Sequence, residues 1–95
     1  MTIAMLLDNA EGSQEIYEKV RSQLELPAGG IFHVAGPAPS GGWRVIELWD
    51  SQETASKFLQ EQLVPALKAA GGATQPPSVQ FWPVHAYMSP ADQAS

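Results

Sequence analysis

The sequence predicts an α+β fold in which one four-stranded antiparallel sheet carries two helices on one of its faces. The first observation is that residues 41–67 join an alternating strand directly to an amphipathic helix. The second is that an apolar strand and another amphipathic helix precede this unit, in residues 2–25. The third is that two more apolar strands flank it, at residues 31–35 and 79–87. The predicted element order is therefore βαββαβ.

The strand that begins at Trp43 alternates between two faces, because successive side chains of a strand point in opposite directions. One face carries Trp43, Val45, Glu47 and Trp49, and the other carries Arg44, Ile46 and Leu48. Asp50 is predicted to cap the helix that follows, with Glu53 reaching back to the cap. Apolar side chains then recur at helical spacing, at Ala55, Phe58, Leu59, Leu63, Ala66 and Leu67.

The N-terminal part of the chain contains the first strand and the first helix. Residues 2–7 form a continuous apolar run, which is typical of a central strand covered on both faces. Ser13 is the predicted N-cap of a helix over residues 14–25. Its apolar stripe consists of Ile16, Tyr17, Val20 and Leu24. Pro27 and the two glycines that follow end this helix.

A hairpin is predicted where residues 31–35 and the strand of Trp43 are joined by the loop at 36–42. An even ladder up to that loop places Ala35 opposite Trp43, His33 opposite Val45 and Ile31 opposite Glu47. His33 is then the diagonal neighbour of both Trp43 and Glu47. His33, Trp43, Glu47 and Trp49 therefore share one face of the sheet.

Two prolines mark irregularities in the second half of the chain. Pro65 cannot donate the backbone bond that a helix needs, so the second helix is expected to kink or restart there. Pro83 lies in the last predicted strand, residues 79–87, which is therefore expected at a sheet edge. Residues 1–88 are predicted to form a single domain, and residues 89–95 are predicted to form a flexible C-terminal tail.

The βαββαβ order is that of the ferredoxin-like fold. Right-handed crossovers give the strand order 4-1-3-2 and place both helices on the same face. The other face then has no helix, although its strands are apolar. A second copy of the chain can cover that face, so the sequence predicts a homodimer whose sheets pack against each other.

Composition excludes several classes of partner and chemistry. Ten acidic residues against five basic ones give a net charge of −5, and the basic residues are scattered, so neither nucleic acid nor an anionic membrane is an expected partner. The absence of cysteine excludes disulfides and thiolate chemistry and is consistent with a reducing cytoplasm. The apolar start of the chain is too short for a membrane span.

Four segments carry a resemblance to a known superfamily: residues 31–37, 41–51, the helix through Phe58 to Leu67, and residues 79–87. Together they resemble the dimeric α/β-barrel superfamily, and within it the antibiotic-biosynthesis-monooxygenase-like proteins. The resemblance implies a homodimer and a pocket between the sheet and the helices. The members of this superfamily include cofactor-free oxygenases of polyphenolic polyketides, haem-degrading enzymes, polyketide cyclases and proteins without known activity. Phe58 and Lys68 stand near the places where the haem-degrading members carry a tryptophan and a haem-ligating histidine, so haem degradation is not expected.

Three residues are the catalytic candidates. His33 can take a proton from a phenol near neutral pH, and Glu47 on the same face can orient its ring. His85, a histidine in the last predicted strand, is a candidate base for the same reason. For either histidine the alternative is a structural hydrogen bond at the subunit interface, and for Glu47 it is an ion pair with an arginine. No spacing among these residues favours a metal site.

A surplus of aromatic residues suggests a ligand pocket, with a role in the core as the alternative. The candidate pocket residues are Trp43, Trp49, Phe58, Trp82 and Tyr87. The predicted function is a cofactor-independent monooxygenase or cyclase that acts on an aromatic, polyketide-like small molecule. The alternative is a dimer that binds a small ligand without turnover or is purely structural.

Overall fold

The computed structural model describes residues 1–71 and 74–88 of the 95-residue chain. The predicted order of strands and helices is confirmed. The elements are β1 (Ile3–Asn9), α1 (Gln14–Arg21), β2 (Gly30–Pro37), β3 (Trp43–Trp49), α2 (Gln52–Phe58), a π-helical turn (Leu59–Leu63), α3 (Val64–Ala69) and β4 (Ser78–Pro83). The expected tail at 89–95 lies outside the described residues.

The four strands form one sheet in the order β2-β3-β1-β4, and every neighbouring pair is antiparallel. The predicted order and the edge position of β4 are confirmed. The predicted length of β4 is wrong, because the strand ends at Pro83 instead of reaching Tyr87. The last ladder bond near this end runs from the Val84 N–H to the Thr2 carbonyl. His85 and Tyr87 therefore lie beyond the strand.

The register of the hairpin differs from the prediction by two residues. His33 lies opposite Glu47, Ala35 opposite Val45 and Pro37 opposite Trp43. The difference arises because β2 continues to Pro37, and a tight turn follows in which the Gly41 N–H donates to the Ala38 carbonyl. A two-residue shift keeps every side chain on its predicted face, because the side-chain period of a strand is two.

A second irregularity lies at the start of β2, where the ladder shifts between Gly30 and Phe32. This bulge leaves Ile31 without a partner on β3, because Gly30 and Phe32 pair with the consecutive residues Trp49 and Leu48. The longer strand therefore explains the shifted pairs, and the bulge explains why Ile31 is unpaired in the ladder.

Both helices that follow a strand are capped by a serine. The Ser13 Oγ accepts a bond from the Ile16 N–H at 3.2 Å, which confirms the predicted cap of α1. At α2 the cap is Ser51 and not the predicted Asp50, because the Ser51 Oγ accepts from the Thr54 N–H at 3.2 Å. Asp50 instead accepts a bond from the Thr54 hydroxyl at 2.7 Å.

Helix α1 is shorter than predicted, ending at Arg21 instead of residue 25. The Ser22 side chain donates to the Lys19 carbonyl at 2.7 Å, which occupies an acceptor at the end of the helix. Leu24 still packs against the core from the turn that follows.

The predicted interruption at Pro65 is confirmed as a widened turn. The Val64 N–H donates to the Leu59 carbonyl, five residues back, and α3 begins at Val64 with Pro65 in its first turn. A proline in the first turn lacks a donor that the helix does not need there. The wide turn also keeps Phe58, Leu63 and Leu67 on the side that faces the sheet and α1.

The two faces of the sheet have different surroundings. Met5 and Trp49 are fully buried beneath the helices, with Ala55 and Phe58 packed on them. No described helix covers the other face. Its strands leave large apolar side chains exposed there: Phe32, Val34, Ile46 and Trp82. None of the helices within residues 1–71 and 74–88 is long and apolar enough to cross a membrane.

A carboxylate ties the segment before β4 to the loop before α1. Glu11 accepts bonds from the Thr74 N–H at 2.8 Å, the Thr74 hydroxyl at 2.6 Å and the Gln75 N–H at 3.3 Å. The hydroxyl bond and then the two N–H bonds hold the pKa of Glu11 below its ordinary value of 4.5. This contact contributes stability above that value and loses it as the pH falls through the lower, folded-state pKa.

Glu11→Gln is therefore expected to make the stability of the fold depend less on pH in the acidic range. The melting temperature of the unaltered protein should fall more steeply between about pH 5 and pH 3 than that of the variant. Thermal unfolding followed by circular dichroism at several pH values measures this difference. Glu61→Gln, which alters an exposed carboxylate elsewhere, is the control. Parallel pH profiles for the unaltered protein and Glu11→Gln would contradict the assignment.

Candidate functional site

Glu47 is a buried carboxylate on the face of the sheet that the helices cover. Its residue is 2% exposed, so its oxygens need partners within the protein. The Trp49 Nε1–H donates to Oε1 at 3.1 Å, and His33 Nδ1 lies 2.7 Å from Oε2. The alternation of β3 places Glu47 and Trp49 on the same face, and the hairpin places His33 directly opposite Glu47.

The pair of His33 and Glu47 defines the tautomer of the imidazole. A carboxylate only accepts hydrogen bonds, so His33 donates from Nδ1 to Glu47. The other ring nitrogen, Nε2, is then an acceptor in the neutral ring. It lies 2.7 Å from the hydroxyl of Tyr17, which donates to it. A continuous chain of hydrogen bonds therefore runs from Tyr17 through His33 to Glu47.

Tyr17 reaches this site from α1. Its ring stacks on His33 at a centroid distance of 5.9 Å with 17° between the planes, and it lies 5.4 Å from the ring of Trp43. Burial raises the pKa of Tyr17; the charge of Arg21 opposes this shift, and the charges of Glu18 and Glu47 add to it. The side chain is therefore a neutral phenol at physiological pH.

The close approach of α1 to β3 depends on Gly12. A Cβ atom at this position would lie only 2.6 Å from Trp43 Cβ, which is closer than real side chains come. The missing side chain lets the start of α1 pack directly on Trp43. This contact brings Tyr17, one turn into the helix, over His33.

The site opens into a cavity of about 630 Å³ between the sheet, α1 and the helices that follow β3. This volume lies within the range of small-molecule sites, roughly 300–1,000 Å³. Apolar side chains form most of its wall, including Leu7, Ile16, Val45, Phe58, Leu63 and Leu67. Tyr17, His33 and Glu47 form one polar part of an otherwise largely apolar wall.

The structure brings some of the predicted site residues together and not others. His33, Glu47, Trp43 and Phe58 line the cavity, and Trp49 lies in the core with its N–H on Glu47. His85 and Tyr87 follow β4 in exposed positions, and Trp82 lies on the uncovered face, opposite Ala4. These three residues do not line the cavity: Trp82 lies on the opposite face of β4, and His85 and Tyr87 follow the point at which the ladder with β1 ends.

Tyr17 is the site residue that sequence reasoning missed, since the periodicity of α1 assigned it to the apolar stripe. The available signal was its hydroxyl, because a tyrosine facing a core usually needs a polar partner. No three potential ligands among histidine, aspartate and glutamate come together as a metal site in the part of the chain that the structure describes.

Comparison with known proteins finds similarity in structure but not in sequence. No family model matches the chain, and no curated protein is significantly similar to it. A protein of unknown function from Nitrosomonas europaea has 19% identity and a TM-score of 0.67, with 94% of this chain and 93% of that chain covered.

Two further solved structures are of oxygenases. The monooxygenase ActVA-Orf6 of Streptomyces coelicolor, in complex with nanaomycin D, has 17% identity and a TM-score of 0.58, with 94% and 91% of the two chains covered. SnoaB of Streptomyces nogalater, a cofactor-independent oxygenase, has 15% identity and a TM-score of 0.56, with 92% and 94% covered. The chain thus shares the ferredoxin-like fold of these structures.

Proposed function

We propose that the protein is a cofactor-independent monooxygenase that oxidises a phenolic, polyketide-like aromatic compound with dioxygen. The observation that carries the proposal is the pair of His33 and buried Glu47 in the wall of a largely apolar cavity. The pair supplies a base, and the cavity supplies a binding site for a flat apolar ring system. ActVA-Orf6 and SnoaB, which share the fold, support the same class of chemistry.

The proposed reaction begins with loss of a phenolic proton. His33 takes up the proton at Nε2, and the resulting imidazolium is stabilised by the Glu47 carboxylate 2.7 Å from Nδ1. The ionised substrate is electron-rich enough to react with dioxygen. A ring methylene then becomes a carbonyl, one oxygen atom enters the product, and the second leaves as water, so the reaction balances with dioxygen as the only oxidant.

We also propose that the protein is a homodimer, with the second copy on the uncovered face of the sheet. Phe32 is 51% exposed and Val34 is 47% exposed on that face, and these residues continue into Ile46 on the neighbouring strand. Contiguous apolar surface of this kind usually marks an interface in soluble proteins. The absence of cysteine supports a cytoplasmic location.

Oxygen uptake with a hydroxyanthrone as substrate tests the proposed activity. His33→Ala is expected to lower turnover about 100-fold to 10,000-fold, the usual contribution of a general base. Glu47→Gln is expected to lower it less, because an amide still accepts the bond from His33 but no longer stabilises the imidazolium. His85→Ala, an exposed histidine outside the cavity, is the control and should retain full turnover.

The outcomes of this experiment separate the two functional classes. Unchanged turnover per folded dimer in His33→Ala would show that His33 is not the base. Binding of the hydroxyanthrone without oxygen uptake above the uncatalysed rate would favour a ligand-binding protein. Conversion of a substrate without oxygen uptake would favour a cyclase, which can use the same base.

A further inference from the structure

Both ring nitrogens of His33 are already engaged within the protein. Nδ1 lies 2.7 Å from Glu47 Oε2, and Nε2 lies 2.7 Å from the Tyr17 hydroxyl. A substrate in the cavity therefore finds no free nitrogen on the imidazole. Either Tyr17 moves away before each reaction, or the proton reaches His33 through the Tyr17 hydroxyl.

The arrangement around Tyr17 favours the second route. Its ring contacts the rings of His33 and Trp43, with centroid distances of 5.9 Å and 5.4 Å, and the loop that leads into its helix packs closely on β3 at Gly12. Displacing the ring would break both aromatic contacts and the hydrogen bond to Nε2. Tyr17 also lines the cavity, so its side chain is within reach of a bound molecule.

A phenol hydroxyl can donate one hydrogen bond and accept another at the same time, as a group that relays a proton must. Its oxygen carries one hydrogen and can still accept a hydrogen bond while donating that hydrogen to His33 Nε2. Because burial raises the pKa of Tyr17, the hydroxyl does not hold a negative charge and cannot itself be the base. It can only exchange one proton for another.

We propose that Tyr17 is a catalytic residue that contacts the phenolic oxygen of the substrate and relays its proton to His33. The inference rests on the proposed function, of which it specifies the first step. The substrate O–H bond breaks as a new O–H bond forms on Tyr17. The original O–H bond of Tyr17 breaks as an N–H bond forms on His33 Nε2. Tyr17 ends neutral, the substrate is an anion and His33 is a cation beside Glu47.

The relay can be tested without oxygen by using an indicator as the ligand. The probe is 5-hydroxy-1,4-naphthoquinone, whose absorption moves to longer wavelength when its phenol ionises, and the chain has no cysteine with which the quinone would react. The unaltered protein is expected to ionise the bound probe. Tyr17→Phe keeps the aromatic contacts but should lower the rate of probe ionisation, followed by stopped-flow absorbance, about ten-fold or more, with an affinity within about three-fold.

Tyr87→Phe is the matched control, because it removes the hydroxyl of an exposed tyrosine beyond β4. It should ionise the probe as fast as the unaltered protein does. An unchanged ionisation rate in Tyr17→Phe together with loss of ionisation in His33→Ala would overturn the relay and leave the proposed base in place. Slower ionisation in Tyr17→Phe and loss of ionisation in His33→Ala, without oxygen uptake from the hydroxyanthrone, would support the relay and overturn the oxygenase.

A second measurement needs no variant. The rate of probe ionisation in mixtures of light and heavy water depends on how many protons move in the step. Two protons that move together give a curved dependence on the deuterium fraction, and this is the result expected from the relay. A straight line, which indicates one proton in motion, would contradict it even if Tyr17→Phe failed to fold.

Discussion

Ile46→Asp is expected to convert the proposed homodimer into a monomer. Ile46 lies in the middle of the uncovered face, opposite Val34 on β2 and opposite Leu6 on β1. A twofold interface uses the same surface of both chains, so each dimer would have to bury two new carboxylates. Leaving a buried charge unpaired costs several kcal/mol, which is comparable with the free energy that holds a small dimer together.

Sedimentation equilibrium measures this change directly. The unaltered protein should sediment with twice the 10.2 kDa mass of the chain, and the variant with the mass of one chain. Gln60→Asp introduces the same charge at an exposed position in the helical layer, on the other side of the sheet, and should remain dimeric. An unaltered protein that sediments as a folded monomer at micromolar concentration would contradict the proposed assembly.

Trp49→Ala is expected to lower the free energy of unfolding by about 3–5 kcal/mol, the usual range for removing a large aromatic side chain from a core. Trp49 is 0% exposed and packs on Phe58 at a ring-centroid distance of 5.1 Å. The loss approaches the total stability of many small domains, which is roughly 5–15 kcal/mol. Urea unfolding followed by circular dichroism measures it.

Trp49→Phe separates the two roles of this side chain. Phenylalanine keeps most of the apolar contact but removes the N–H that donates to Glu47 Oε1 at 3.1 Å. We expect a smaller loss of about 1–3 kcal/mol, because one buried carboxylate oxygen is left without its donor. Equal stability losses in Trp49→Phe and Trp49→Ala would show that the hydrogen bond to Glu47, and not the packing, dominates at this position.

The sequence predicts which face of the sheet each side chain occupies, but it does not predict which residues lie opposite each other on neighbouring strands. Alternation in β3 and the helical stripes that flank it determine which side chains face the helices, and these assignments are confirmed. The pairing of His33 depended on the loop at 36–42, whose three glycines and two prolines permit turns of several lengths. The predicted register was therefore wrong by two residues, although the face was correct.

In the candidate site, contacts within one hairpin could also be predicted better than contacts between elements that are distant in the sequence. His33 and Glu47 belong to adjacent strands of one hairpin, so local alternation was sufficient to place them on the same face as neighbours, although not as the direct partners that they are. Tyr17 meets His33 only because α1 crosses the sheet at one position, and no local pattern specifies that crossing. His85 was misplaced because the ladder with β1 ends at the bond from the Val84 N–H to the Thr2 carbonyl, and residues 79–87 do not encode the length of their partner strand.

The π-helical turn at Leu59–Leu63 gives this segment a residue that the helix can lose. Its solvent-facing residues, Gln60, Glu61 and Gln62, are exposed. A π turn contains one residue more than an α turn, so deletion of one of them is expected to convert the turn into regular α-helix. The orientation of α3 relative to α2 would then change little, and Leu67 would remain in the cavity wall. A second deletion would have no such turn to absorb it and would rotate α3 by about 100°, the rotation of one helical residue.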